Sequence, residues 1–247
     1  MIHNGATFLV AAQLARLAAP LKGVAGAATV ALFGAIGWPW LLRSLSGGGA
    51  AARADLLALL DLPDDALPAA LGGWRGDAVF LGHLARVVLA DRPQTVVELG
   101  GGTTTLVVAR ALRLNGGGTL LSIDGDHGFA DATRQLLAAQ DLSAEVRAVP
   151  LATPPGGWPG QWYDHGPLPA AIDLLIVDGP PWALHPLVRG AAASLFDRIA
   201  PGGRIVLDDA ARPGERLVAR RWARDWPGFD WQRLGGPAGT LVGTRRA

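Results

Sequence analysis

With 247 residues, half of them hydrophobic and 17% charged, the chain is long enough for one α/β domain with a sizeable core and a short extra segment. Its formal net charge of +1 comes without a basic block, which gives no reason to expect a nucleic-acid partner. No cysteine is present, so disulfides, thiolate metal sites and cysteine nucleophiles are excluded, and Lys22, the only lysine, leaves none for catalysis in the main domain.

Composition divides the chain into an N-terminal apolar segment, residues 1–50, and a main domain, residues 51–247. Ala6 to Leu21 is apolar but carries Gln13 and Arg16, the pattern of an amphipathic helix. Val24 to Leu42 has no charged residue, is bracketed by Lys22 and Arg43, and carries Trp38 and Trp40 near one end. That pattern predicts membrane attachment through residues 24–42, with helices packed on the domain or on a second subunit as the alternative. A secretory signal fits poorly, for want of a basic start and a small-x-small cleavage site. Ser44–Ala51 (SLSGGGAA) reads as a flexible linker.

From Ala54 the pattern alternates. Helices are expected at Ala54–Leu60, Gly76–Leu89, Thr104–Leu114, Asp131–Gln140, Pro186–Ile199 and Gly214–Trp226. Strands are expected at Thr95–Leu99, Thr119–Ile123, Glu145–Val149, Ile172–Val177, Gly203–Leu207, Phe229–Leu234 and Leu241–Thr244. Strands alternating with helices imply a parallel sheet covered on both faces, and the last two strands, joined by a short turn, must run antiparallel. The expected fold is therefore α/β, doubly wound, with a mostly parallel seven-stranded sheet ending in an antiparallel hairpin. In such sheets ligands bind beyond the carboxyl ends of the strands, which nominates Glu98–Thr105, Asp124–His127, Val149–Leu151, Asp178–Trp182 and Asp208–Arg212. The Thr153–Pro169 insertion, with Trp158, Trp162 and Tyr163, reads as a cover over the same edge.

Glu98-Leu99-Gly100-Gly101-Gly102-Thr103-Thr104-Thr105 is a strand end, a glycine turn and a helix start, where free N–H groups and a close backbone suit a ligand. A dinucleotide loop needs G-x-G-x-x-G, whereas here Thr105 holds the third glycine position and Glu98 precedes the turn. A carboxylate there suits a ligand with a cationic part. Asp178, Asp208 and Asp209 end two later strands and are placed to converge on a hard cation such as Mg²⁺. His185 and His165 are the nearby groups able to act as a general base near neutral pH.

The E-L-G-G-G-T run, Asp124, Ile172–Pro181 and Pro201–Asp209 resemble the class I S-adenosylmethionine (SAM)-dependent methyltransferases, over roughly Gly73 to the C-terminus. The resemblance implies a loop (Glu98, Gly100, Gly101, Gly102, Thr103) against the methionine part of SAM. It also implies Asp124 on the ribose hydroxyls, Asp126 if the register shifts by two, Val149–Leu151 near adenine, and Asp178 toward cofactor and substrate. Metal-dependent O-methyltransferases, of catechol or macrocin type, are similar at Asp178, Asp208 and Asp209. Pro181 stands where the catechol type has lysine, and Pro180 where the macrocin type has its second Asp. The expectation is a small-molecule methyltransferase acting at oxygen with Mg²⁺ assistance, its catalytic domain cytoplasmic and its oligomeric state open. A SAM-binding or structural module with little catalysis is the alternative, and an NAD-dependent oxidoreductase a weaker one.

Overall fold

The computed structural model describes residues 24–247, so the amphipathic helix expected at Ala6–Leu21 lies outside the described residues. Its elements run α1 (Val24–Ser44), α2 (Ala50–Leu60), α3 (Ala78–Asp91), β1 (Thr95–Leu99), α4 (Thr103–Leu114), β2 (Thr119–Asp124), α5 (His127–Ala138), β3 (Glu145–Ala148) and β4 (Leu151–Ala152). There follow β5 (Trp162–Tyr163), β6 (Ile172–Val177), a 3-10 helix (Val188–Arg198), β7 (Ile199–Leu207), α6 (Pro213–Asp225), β8 (Phe229–Leu234) and β9 (Thr240–Arg245).

Seven strands form one sheet in the order β3-β2-β1-β6-β7-β9-β8, with β9 antiparallel to both β7 and β8 and the other pairs parallel. The expected fold class is thus the observed one. The reason lies in the strands themselves. β1 and β6 are mostly apolar and buried on both faces, and they pair with each other in the middle of the sheet. Successive side chains alternate between two cores: Val96, Leu174 and Ile176 pack under α2–α5, while Val97, Leu175 and Val177 pack under the 3-10 helix and α6. The chain turns one way from β1 to β3 and the other way from β6, so the switch point is the β1–β6 crevice.

Local signals fix the helix starts. Asp77 caps α3 by accepting from Val79 N (2.9 Å) and Phe80 N (3.0 Å), and Asp126 caps α5 by accepting from Phe129 N (3.0 Å). Pro213 opens α6. An aromatic group of Phe196, Trp222, Trp226, Phe229 and Trp231, with Phe196 centroids 4.9–6.0 Å from the others, ties the 3-10 helix and α6 to the edge of the sheet. Phe196→Leu is expected to cost about 1–2 kcal/mol in chemical unfolding, and an unchanged midpoint would refute this role.

Three expectations need correcting. Among the described residues no helix is long and apolar enough to cross a membrane, so the attachment expected at residues 24–42 is not supported. The glycines and alanines that lower its hydropathy let α1 pack closely instead. Gly34 lies against the Trp182 ring, Gly37 against Pro213, and Trp40 stacks 5.5 Å under the Arg216 guanidinium. The outer side of α1 exposes Leu32, Ile36, Trp38 and Leu42. Second, Ser44–Ala51 is a packed turn rather than a flexible linker. Gly47, Gly48 and Gly49 adopt φ of 65°, 86° and 88°, and Gly47 O accepts from Ala78 N at 2.9 Å. Third, the α-helix expected at Pro186–Ile199 is a 3-10 helix over Val188–Arg198, and β7 begins directly after it at Ile199.

Candidate active site

Two strand-end loops meet at the β1–β6 crevice. Gly100 leaves β1 with φ 90°, and Gly100 N donates to Ile123 O at 2.8 Å. A Cβ at Gly100 would stand 2.6 Å from Gly179 N, so only glycine allows the loop after β1 to touch the loop after β6. Gly179 N donates to Leu99 O at 2.6 Å from the other side, and the Gly179–Pro180 peptide is cis. Gly102, with φ 133°, has no atom within 4 Å of where a Cβ would be, so the loop's outer side is open there.

Glu98 lies beneath this loop, fully buried. Its Oε2 accepts from Thr105 Oγ1 (2.5 Å) and Ser122 Oγ (2.6 Å), and Thr105 Oγ1 in turn accepts from Gly102 N at 2.9 Å. Burial pushes the Glu98 carboxyl up to about 7 against those hydroxyl bonds, and its Oε1 is buried without a partner. The carboxylate therefore braces the loop from below, through hydroxyls. Thr103 opens α4 and is buried with Thr104.

Asp124 ends β2 beside the loop. Its carboxylate accepts from Asp126 N (2.8 Å) and Gly101 N (3.2 Å), and burial pushes it up to about 6 despite these bonds. Asp126, the alternative one turn on, spends its carboxylate on capping α5. Val149 N donates to Asp124 O at 2.9 Å, and the Leu151 side chain packs over Gly125. The acidic end of β2 is thus held from both neighbours.

On the other side of the crevice Asp178, Asp208 and Asp209 do converge: one carboxylate oxygen of each lies within 4.8 Å of the others. Two guanidiniums lie among them. Arg189, 5% exposed, has Nη1 3.0 Å from Asp209 Oδ2 and Nη2 3.7 Å from Asp178 Oδ1. It also donates to the main-chain oxygens of Asp178, Pro180 (3.3 Å) and Asp208 (3.3 Å). Arg212 Nη1 reaches the same Asp209 Oδ2 at 2.8 Å. Burial pushes Asp178 up to about 6 and Asp208 well above the usual carboxylate range; buried Glu215, on the first turn of α6, is pushed up to about 7. Arg189 and the three aspartates form one charged group, buried except at Asp178, whose side chain is 18% exposed.

The cluster borders a cleft between α1 and the strand ends, lined by Phe33, Gly37, Trp182, Pro186 and the Arg212–Glu215 segment. Arg212 Nε and Glu215 Oε1 are buried there without hydrogen-bond partners. The histidines stand apart from the carboxylates. His185 Nδ1 accepts from Leu187 N at 3.1 Å, and burial lowers its pKa; His165 Nδ1 lies 2.7 Å from Gly166 O. Neither bonds to the cluster. The insertion is a short β4–β5 hairpin whose Trp158, Trp162 and Tyr163 are buried in the core, with the Tyr163 hydroxyl on Gly179. It walls the site as a fixed part of the domain.

Sequence reasoning missed Arg189 and Glu215. A lone arginine in the small apolar run Leu187-Val188-Arg189-Gly190-Ala191-Ala192 was the available signal, since a charge buried on such a stretch needs partners.

Residues 97–210 match a family model described as a methyltransferase domain. Among solved structures, the chain is similar to the O-methyltransferase from Bacillus cereus in complex with SAH (16% identity, TM-score 0.54), over 80% of this chain and 92% of that one. It is similar to an SAH-bound methyltransferase from Podospora anserina (12% identity, TM-score 0.52; 81% and 90% covered) and to a methyltransferase from Geobacter sulfurreducens (18% identity, TM-score 0.51; 80% and 87% covered). These likenesses are likenesses of fold. The family match over residues 97–210 and the sheet order together give a methyltransferase domain of the Rossmann-like fold.

Proposed function

We propose that the chain methylates a small-molecule acceptor at a hydroxyl oxygen. One observation carries the reading: the glycine loop, the acidic end of β2, Asp178 and a partly apolar cleft lie along one edge of the sheet at its switch point. SAM bound there supplies a methyl group activated by its sulfonium. The open outer side of the Gly100–Gly102 loop and the carboxylate of Asp124 would hold it, with Asp124 on the ribose hydroxyls. The fit is favourable, because Asp124 is anchored by two main-chain N–H groups and keeps further acceptor capacity for hydroxyl donors. Glu98 acts on the loop through Thr105 and Ser122 and so positions it.

The acceptor would enter the α1 cleft, with Phe33 and Trp182 against its apolar body and Arg212 Nε and Glu215 Oε1 available to its polar groups. Asp178 stands beside the glycine loop, and its carboxyl, raised to about 6, is a stronger base than an ordinary aspartate. The main role of these groups is orientation. The likeness to the Bacillus cereus O-methyltransferase supports oxygen as the acceptor atom. Because SAM is made in the cytosol, the domain is read as working there. Mg²⁺ on Asp178, Asp208 and Asp209 does not fit the site, because Arg189 and Arg212 both lie on Asp209 Oδ2 and Arg189 lies 3.7 Å from Asp178 Oδ1.

Calorimetry of the full chain with SAM and S-adenosylhomocysteine, followed by transfer of labelled methyl to a panel of hydroxylated small molecules, tests the proposal. Micromolar binding and a labelled ether product are expected. A folded chain that binds neither compound would overturn it. Trp182→Ala should raise the acceptor KM by about tenfold while leaving SAM affinity unchanged, as loss of apolar contact to the acceptor alone requires.

A further inference from the structure

The aspartate trio has the shape of a divalent-cation site, but its interior is already taken. Asp209 Oδ2 is bonded to two guanidiniums at 2.8 and 3.0 Å. Arg189 is also held by three main-chain carbonyls. The backbone that carries it cannot shift readily: Val188 and Ala191 are core residues, and a Cβ at Gly190 would run into the Trp158 ring. A dication entering among these oxygens would meet two fixed positive charges at contact range. The two guanidiniums bring the same total charge as one divalent ion, and Arg does not lose its charge at any working pH.

We infer that Arg189, together with Arg212, takes the place of a divalent cation in this site, so that the chain neither needs nor binds one. Arg189 is a positioning residue: it holds Asp178 and Asp209 in the geometry that a metal would otherwise impose. Removing its side chain should uncover a three-carboxylate cation site that the wild-type chain conceals. The inference rests on the proposed methyl transfer only in what the geometry is for; the occupancy of the site is measured without any turnover.

Mn²⁺ is titrated into the full chain and the free ion is followed by its six-line electron paramagnetic resonance signal. The wild-type chain should leave that signal undiminished. Arg189→Met should take up one equivalent with a dissociation constant below about 1 mM, and the uptake should vanish when Asp209→Asn is added. Arg189→Lys, which keeps a charge in place, should behave as the wild type. Stoichiometric uptake by the wild-type chain that is lost in Asp178→Asn overturns the inference. So does a folded Arg189→Met chain, with wild-type melting and SAM binding, that takes up no ion. Should Arg189→Met not fold, Arg212→Met, which frees the same Asp209 oxygen, is judged by the same two outcomes. A chain that fails to bind SAM but shows this Mn²⁺ pattern would refute the proposed function and leave the cation replacement standing.

Discussion

Gly100→Ala should destabilise the chain by about 3 kcal/mol or more and abolish SAM binding. Two costs add. The residue holds φ 90°, a conformation L side chains rarely adopt, and its new Cβ would lie 2.6 Å from Gly179 N and 2.9 Å from Gly179 Cα. The neighbour is main chain rather than a flexible side chain, so β1 and β6 would have to part at the crevice that forms the site. Gly102→Ala is the comparison: φ is 133°, but no atom lies within 4 Å, so only backbone strain remains, about 1–3 kcal/mol. Chemical unfolding and calorimetry on both variants measure the difference. A Gly100→Ala chain that melts and binds like the wild type would show that the two loops are not in the contact described.

Asp124→Asn should weaken SAM binding by about a hundredfold while making the unliganded chain more stable at pH 8. Loss of affinity follows from removing a charged acceptor for two hydroxyls. The stability gain follows from the carboxyl's position, about 6 in the folded chain against an ordinary 3.8. The folded state then holds its proton more tightly than the unfolded state. Ionisation therefore costs stability progressively as pH rises from about 4 to 6, and the cost stays constant above that, up to about 3 kcal/mol. Asparagine carries no charge to bury, but its single oxygen can accept from only one of the Gly101 and Asp126 N–H groups, and loss of the other bond offsets about 1 kcal/mol of the gain. The gain should accordingly be present at pH 8 and shrink toward pH 4. Melting temperatures at these two pH values decide it: a variant less stable than wild type at pH 8, or one with undiminished affinity, would refute the assignment of Asp124.

Much of this was legible before any coordinates. β1 and β6 announce themselves as short runs rich in apolar residues, and such a run bounded by Gly-Gly-Gly has few alternatives to a central strand ending at a ligand loop. Asp178, Asp208 and Asp209 were legible as neighbours because the register of parallel strands puts successive strand ends at one edge. What was hidden depends on contacts between distant segments. Arg189 looked like any charge on a helix until the 3-10 turn aimed it at Asp209, twenty residues on. SLSGGGAA looked like a linker because glycine permits both freedom and left-handed turns, and only the partners Ala78 and Gly73 decide between them. Val24–Leu42 looked like a membrane span because composition alone does not reveal that its glycines receive Trp182 and Pro213.

The stack of Tyr163 on Gly179 on Gly100 links the insertion to the glycine loop through two positions that tolerate no side chain. Sequence drift in this family of shapes would then be uneven: the exposed Pro155 to Gly157 is free to change length and character, whereas Tyr163 is tied to both glycines at once. A relative that enlarges its acceptor space by reshaping the insertion must either preserve that three-residue column or rebuild the loop after β1 in the same step.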